Sequence, residues 1–378
     1  MVRRGGRVTT FTVLGCLGDR RTLGFRAACR AEGLPDPELV AWARLLDGTV
    51  SRPPAGLLRI DSPGGDEDAD TLLRGPGDPA RVGGGARWHA AFTAALDRFR
   101  AATSPGTTWL NDPADIAVMF DKRRCHARLL AAGVPVPAAL GPVSDYAALR
   151  AAMASAGWSR VFVKPAHGSS GSGVVALTAH GSRVHAVTSA VPAPGGGYVN
   201  SLRAAVYQRE FEVADLVDAL APDGLHVEQW VPKAGIGRRA LDLRVVVIGG
   251  VATHAVVRTS ALPITNLQMG GQRGDLDAVR GRLGAERWAQ ALAVCERAAA
   301  CFPGSLMVGV DLLVNLGWRR FYVGEVNAFG DLLPGLTGFA GGPAEGLDTY
   351  QAQVRAAPGW AAGALVLSPS GETARCGT

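Results

Sequence analysis

The segment from residue 307 to residue 327 constrains the fold of this chain more than any other part of the sequence. It predicts two apolar strands joined by a turn near Trp318, each strand carrying one acidic residue, and it reads M-V-G-V-D-L-L-V-N-L-G-W-R-R-F-Y-V-G-E-V-N. Asp311 lies seven residues before Trp318 and Glu325 lies seven residues after it. A hairpin centred on Trp318 therefore makes the two acids cross-strand neighbours.

The same hairpin predicts a metal site. Asn327 lies two positions after Glu325, so its side chain points to the same face of the strand. A lone carboxylate in a buried strand is costly unless a cation compensates its charge. Two carboxylates and an amide oxygen are hard ligands, which suit Mg²⁺ that also contacts phosphates. The alternative is a pair of solvent-facing acids on an edge hairpin, and this segment alone does not decide between the two.

Lysine is rare in this chain, which makes its positions informative. The sequence has 39 Lys and Arg residues, and only Lys122, Lys164 and Lys233 are lysines. In a chain that otherwise uses arginine, a retained lysine indicates a place where a planar guanidinium cannot replace a compact ammonium group. Chance retention at the surface is the alternative for one of the three, and for Lys233 a substrate contact and a surface charge are equally favoured.

A glycine- and serine-rich loop follows Lys164, and its residues are Gly168, Ser169, Ser170, Gly171, Ser172 and Gly173. Backbone N–H groups of such a loop can approach phosphate oxygens closely, and a neighbouring lysine adds a point charge. The loop matches neither the Walker pattern nor the G-x-G-x-x-G fingerprint. A simple turn is the alternative interpretation.

The rest of the chain predicts an α/β protein with several domains. Residues 8–14 predict a first strand, and the turn after it leads into a helix that ends near Arg30. A loop-rich section around residues 59–65 follows, and then a helix over about 88–102. We place domain boundaries so that residues 1–106, 107–228 and 229–360 form separate units and residues 361–378 form a flexible tail.

Composition excludes several classes of protein. Of the 378 residues, 47% are hydrophobic and 19% are charged, which is ordinary for a globular chain, and no apolar run is long enough to span a membrane. The net charge of +6 comes from scattered arginines without interleaved aromatics, so a nucleic-acid partner is not expected. The six cysteines form no C-x-x-C pair, which favours reduced thiols and a cytoplasmic location.

Taken in chain order, these pieces resemble the ATP-grasp superfamily, and within it the branch typified by the enzyme that ligates glutamate onto a ribosomal protein. The resemblance covers about residues 110–350. It is carried by Asp121-Lys122, Gly133-Val134-Pro135-Val136-Pro137, Val163-Lys164-Pro165, the Gly168 loop, Glu228-Gln229-Trp230-Val231, Asp242-Leu243-Arg244, Arg258, Asn266-Leu267-Gln268-Met269-Gly270-Gly271, Gly309-Val310-Asp311 and Glu325-Val326-Asn327.

The resemblance implies a fold and a set of site residues. The fold is α/β, with two α+β subdomains that clasp a nucleotide after a small N-terminal α/β domain. Lys122 and Lys164 would hold the α- and β-phosphates of ATP, and the Gly168 loop would close over them. The backbone of Glu228, Gln229, Trp230 and Val231 would bind the adenine edge, with Asp242 also assigned to the nucleotide site. Asp311, Glu325 and Asn327 would bind one or two Mg²⁺, or Mn²⁺ in their place.

The resemblance also implies a reaction. Arg244 and Arg258 would face the transferred phosphoryl group, and Asn266 with the backbone of Gly270 and Gly271 would complete that cradle. The activity would be an ATP- and Mg²⁺-dependent carboxylate–amine ligase that proceeds through an acyl phosphate. A small-molecule kinase and a non-catalytic nucleotide-binding module are the alternatives. Gln268 and Met269 replace a His-Arg pair of the ribosomal branch, so acceptor contacts differ. The acid, the amine or peptide acceptor and the oligomeric state stay open, a homodimer included.

Overall fold

The structure is a computed structural model that describes residues 9–52, 55–168 and 171–363. Some predictions therefore lie outside the described residues. They concern residue 8 of the first predicted strand, Ser169 and Ser170 of the glycine loop, and residues 364–378 of the predicted tail.

Strands and helices follow one another along the chain in the order expected of an α/β protein. The strands are β1 (Phe11–Gly15), β2 (Glu38–Ala41), β3 (Gly56–Ile60), β4 (Arg81–Val82), β5 (Thr107–Trp109), β6 (Arg160–Pro165), β7 (Val175–His180), β8 (Arg183–Pro192), β9 (Tyr198–Tyr207), β10 (Leu225–Gln229), β11 (Gly235–Ile236), β12 (Arg239–Ile248), β13 (Val251–Ser260), β14 (Gln272–Arg273), β15 (Met307–Val314) and β16 (Phe321–Asn327). The helices are α1 (Arg20–Ala31), α2 (Trp42–Leu46), α3 (Glu67–Arg74), α4 (Gly85–Ala101), α5 (Pro113–Met119), α6 (Lys122–Ala131), α7 (Tyr146–Ser155), α8 (Glu210–Leu220), α9 (Leu276–Ala300) and α10 (Thr349–Ala361).

The first sheet is parallel, with strand order β2-β1-β3-β5. Its third strand corrects the sequence analysis, which treated residues 59–65 as part of a loop-rich section. Arg59 and Ile60 end β3, and both side chains are buried. The neighbouring proline and glycines favoured a loop, and they do form one, but it begins only after the strand ends at Ile60.

The second sheet is antiparallel, with strand order β10-β6-β7-β8-β9-β4. Helices α7 and α8 cover one face, and together with the strands they enclose a hydrophobic core that includes Leu149, Val163, Leu177 and Leu216. The short edge strand β4 comes from the part of the chain before residue 106 and pairs with β9 through Arg81 and Val82. The boundary at residue 106 stays a prediction, and this pairing crosses it.

The third sheet has strand order β14-β13-β12-β15-β16, with β11 pairing on β12. The sequence of residues 241–258 predicts a hairpin that turns at Gly249 and Gly250, and strands β12 and β13 form it. The sequence predicts a helix over about residues 276–300, and α9 spans them, but Gly284 within it has a φ of 73° and interrupts the regular helix. Its apolar face packs against the sheet through side chains such as Ala291, Cys295 and Ala298.

Among the described residues, no helix combines the length and the apolar character that a membrane span requires. The five described cysteines are free thiols.

Candidate active site

The predicted acidic hairpin is present, and its two acids are cross-strand neighbours. Asp311 of β15 pairs with Glu325 of β16, and a β-bulge follows Asp311 because Leu312 pairs with Val323. Trp318 lies in the turn with a left-handed φ of 57°. Asn327 pairs with Gly309 two positions along, where its amide nitrogen donates a 3.3 Å hydrogen bond to the Gly309 carbonyl. The predicted pairing of the two acids is confirmed.

Two arginines from the neighbouring strands bind Asp311. Arg244 lies opposite Asp311 in the β12–β15 register, and its NH2 group donates to the Asp311 carboxylate at 3.1 Å. Arg258 of β13 bridges two acids, with 2.7 Å from its Nε to Asp242 and 3.1 Å from its NH2 to Asp311. Burial would raise the pKa of Asp311, but the two guanidinium groups hold that pKa well below its usual range.

The lysines at positions 122 and 164 reach adjacent residues of β16. The Lys122 ammonium lies 2.9 Å from the Glu325 carboxylate and also donates to the Gly168 carbonyl. The Lys164 ammonium donates to the Gly324 carbonyl at 3.4 Å and to the Glu228 carboxylate at 2.6 Å. Lys122 begins α6 and Lys164 lies near the end of β6, so the two charges converge from different elements.

The strand β10 supplies the segment expected to bind adenine. Glu228 is buried and accepts hydrogen bonds from Lys164 and from His226, whose Nε2 lies 2.9 Å away. The N–H groups of Gln229 and Trp230 donate to Ala138 and Arg160 carbonyls, at 2.8 and 3.2 Å. Within the described part of the chain, the N–H of Val231 has no such acceptor, and Val231 lines a cavity of about 140 Å³.

Lys233 lies in the wall of that same cavity. Its ammonium donates to the Thr265 hydroxyl at 2.9 Å and lies 3.5 Å from Asp242. Burial lowers the pKa of Lys233, and the neighbouring Asp242 carboxylate partly offsets this effect. The alternative of a surface charge is wrong, because the Lys233 side chain is only 8% exposed. Asp242 is buried between Lys233 and Arg258.

The two carboxylates face a larger cavity of about 590 Å³. Predicted site residues in its wall are Lys122, Gly168, Gly171, Arg244, Arg258, Asn266, Asp311, Glu325 and Asn327. Of the remaining loop residues, Ser172 lines a neighbouring cavity and Gly173 donates to the Ser189 hydroxyl. The Gly271 N–H donates back to the Asn266 carbonyl, and neither Gly270 nor Gly271 is among the described residues that line the two cavities.

The donor set suits a hard divalent cation. Asp311 and Glu325 offer carboxylates, and Asn327 uses its amide nitrogen toward Gly309, which leaves its amide oxygen available. In the described ranges, no group of three or more His, Cys, Asp or Glu side chains could hold a metal on its own. A cation at this hairpin would therefore take its remaining oxygen ligands from water and from a bound anion, which is how Mg²⁺ commonly binds with phosphates.

Several side chains in these walls were missed by the sequence analysis. The Thr265 hydroxyl accepts a hydrogen bond from Lys233 and donates one to Asp242. Its position next to the predicted site residue Asn266 in the sequence was the signal that could have identified it. Arg21 of α1 lines the large cavity and was also missed. Ser62, which follows β3, lines it too, in a segment (61–64) whose sequence favours a tight turn over a part in acceptor choice. They lie in the N-terminal region, before residues 110–350, which the resemblance covers.

Comparisons with known proteins place the whole arrangement in a structural class. No protein-family model matches the chain, and no curated protein matches it. Among solved structures, D-cycloserine synthetase DcsG superimposes with a TM-score of 0.57 at 20% identity, covering 92% of this chain and 99% of that one. The ATP-grasp ligase PsnB, complexed with a phosphomimetic variant of its minimal precursor, Mg and ADP, superimposes with a TM-score of 0.50 at 19% identity, covering 93% and 98%. The chain has the ATP-grasp fold.

A third structure with a similar fold is the macrocyclase MdnC from Microcystis aeruginosa MRC, bound with its precursor peptide MdnA. Its TM-score is 0.50 at 13% identity, and the match covers 92% of this chain and 98% of that one. The expected ATP-grasp fold is thus confirmed. The assignment to the ribosomal-protein branch stays a prediction, since these identities establish the fold alone.

Proposed function

We propose that this ATP-grasp chain is an ADP-forming ligase that joins a carboxylate to an amine with ATP and Mg²⁺. One observation carries the proposal: the facing acids Asp311 and Glu325 share one cleft with the ammonium group of Lys122. The solved structures of similar fold agree with it, because PsnB is described as an ATP-grasp ligase with Mg and ADP and DcsG as a synthetase.

The charges in the cleft support nucleotide binding. Lys122, Arg244 and Arg258 are paired here with the carboxylates of Glu325 and Asp311. With a divalent cation at those carboxylates, the same three side chains are free to face phosphate oxygens. Lys122 and Lys164 then hold the α- and β-phosphates, and the loop from Gly168 to Gly173 covers them.

The smaller cavity fits a nucleotide base. Phe162 and Trp230 pack against each other near it, with ring centroids 5.0 Å apart and ring planes tilted by 43°, and Phe162, Ile264 and Leu313 give it apolar walls. The Val231 N–H lies at its edge without a protein acceptor among the described residues, so it can donate to a ring nitrogen. Apolar walls with a few polar groups are typical of such sites.

The proposed chemistry needs positioning and cations rather than a nucleophilic side chain. ATP phosphorylates the substrate carboxylate, which forms an acyl phosphate and releases ADP, and the amine then displaces phosphate. When bound, Mg²⁺ neutralises charge on the β- and γ-phosphate oxygens. Arg244 and Arg258 stabilise the negative charge that develops on the transferred phosphoryl group, and Asn266 completes the cradle around that group.

The test is release of ADP from Mg·ATP with panels of carboxylic acids and amines, singly and combined. We expect release that requires an acid and an amine together and an amide as product. Release of ADP that needs neither an acid nor an amine, or a stable phosphorylated product without an amide, would contradict the proposal.

The free thiols at the five described cysteines agree with the reducing, cytoplasmic location that we also propose.

A further inference from the structure

One end of the large cavity carries a further arginine besides Arg244 and Arg258. Arg21 of α1 lines it together with Ser62, Gly64 and Gly330. None of these residues belongs to the hairpin or to the glycine loop. They come from the N-terminal sheet region and from the segment that follows β16.

Arg21 is held from behind by a buried acid without forming a hydrogen bond to it. Its Nε lies 3.8 Å from the Oδ1 atom of Asp331, and both atoms are buried without a hydrogen-bond partner. Asp331 is fully buried and fixed on its other side, where its Oδ2 accepts from Arg59 at 2.6 Å and from Gln353 at 3.1 Å. No described residue accepts a hydrogen bond from the Arg21 guanidinium, although its side chain is 23% exposed.

The other walls of this end are also suited to an anion. The Ser62 hydroxyl accepts the Gly64 N–H at 3.1 Å, so its own proton is free to donate. Arg244 lies beside Gly330, where a Cβ on that glycine would be 3.3 Å from its NH1 atom. Arg21 and Arg244 therefore both lie next to the 330–331 segment. Arg244 donates to Asp311, whereas Arg21 has an ion pair with Asp331 and donates no hydrogen bond to a described residue.

We infer that Arg21 binds a carboxylate of the substrate that does not react, so that one substrate carries a free carboxylate besides its reacting group. This inference rests on the proposed function. A planar guanidinium can donate from two nitrogens side by side, which matches the two oxygens of a carboxylate. That carboxylate belongs either to a free amino acid or to an acidic side chain of a peptide.

Thermal melting in the presence of Mg·ADP tests the inference with defined probes. One arm compares free amino acids with their carboxamides, and the other uses N-acetyl, N′-methylamide derivatives of aspartate and glutamate. We expect the carboxylates of one arm to raise the melting temperature of the wild type, and the corresponding carboxamides to leave it unchanged. R21Q should raise the half-saturating concentration of the stabilising carboxylate about tenfold or more, and R21K should raise it less.

The adjacent Arg20 provides the matched control, because it is exposed on the same helix and R20Q removes the same charge. R20Q should behave as the wild type, and all three variants should keep the shift caused by Mg·ADP alone. If Mg·ADP shifts the wild type but no carboxylate does, or if R21Q and R20Q respond alike, the inference is overturned. If Mg·ADP itself fails to shift the wild type, the proposed function fails and the inference falls with it.

Discussion

The Lys164 ammonium group keeps the buried Glu228 carboxylate ionised. Burial would raise the pKa of Glu228, but the Lys164 ammonium and the His226 ring lower it to about 2 from an ordinary 4.5. A carboxylate with a lowered pKa in the folded state stabilises the fold fully above its unfolded pKa, and the contribution is lost as the pH falls through the folded value. The pair therefore stabilises the protein above pH 4.5 and loses this effect toward pH 2.

We predict that K164M destabilises the protein by about 3–5 kcal/mol near neutral pH, because Glu228 is left as an uncompensated buried charge. Urea unfolding measures the effect, and the difference from the wild type should shrink below pH 4.5, where Glu228 can be protonated in the variant. The double variant K164M/E228Q is the control and should recover part of the loss. If K164M lowers the free energy of unfolding equally near neutral pH and below pH 4.5, this account of the pair is contradicted.

Two glycines set how closely β15 approaches the segment after β16. A Cβ on Gly309 would lie 2.6 Å from the Gly330 Cα, and a Cβ on Gly330 would meet Gly309 at the same distance. Both contacts involve backbone atoms, which cannot rotate away. This approach brings β15, the strand that carries Asp311, beside the 330–331 segment, so the element geometry supports the site directly.

Gly309→Ala should therefore cost about 1–3 kcal/mol, the usual range for overpacking in a tight core. Gly281→Ala is the matched control, because Gly281 lies exposed in α9 with open space around its Cβ position. That change should stabilise the helix by about 0.5–1 kcal/mol. Thermal or urea unfolding of both variants checks the contrast, and equal effects of the two substitutions would refute the close approach.

Elements with a strong local pattern could be predicted from the sequence, and elements fixed by distant partners could not. The acidic hairpin and α9 were predictable because their apolar periodicity is local, although the Gly284 interruption was not foreseen. In contrast, Arg59 was taken for a loop residue, yet it is buried against Asp331, 272 positions away. Its burial depends on an ion pair formed only in the folded chain, which no local pattern records.

At the scale of the molecule, one buried ionic network joins the first sheet to the C-terminal part of the chain. Arg59 of β3 binds Asp61 at 2.7 Å and Asp331 at 2.6 Å, and it also bonds to Gln353 of α10. A shared hydrophobic core contains Val13 of β1 and Val246 of β12. The core of the second sheet is a separate cluster. The first and third sheets therefore form one stable unit.

R59M should destabilise that unit by about 3–5 kcal/mol, because Asp61 and Asp331 are left buried without their shared counter-charge. Hydrogen exchange should show equal loss of protection in β1 and β12. R26M is the control: it removes a partly exposed ion pair between Arg26 of α1 and Asp36, and it should cost at most about 1 kcal/mol. Loss of protection confined to β1 and β3 would contradict the shared unit.

The central claim is that Asp311 and Glu325 hold a divalent cation together with a nucleotide, and calorimetric titration with ADP tests it most directly. Wild-type protein and E325Q are titrated with and without Mg²⁺, with E286Q as a control because Glu286 is exposed on α9. We predict that Mg²⁺ tightens ADP binding in the wild type and in E286Q. In E325Q the tightening should fall by about tenfold or more, and release of ADP from ATP should cease. Equal Mg²⁺ dependence in E325Q and the wild type would contradict the claim.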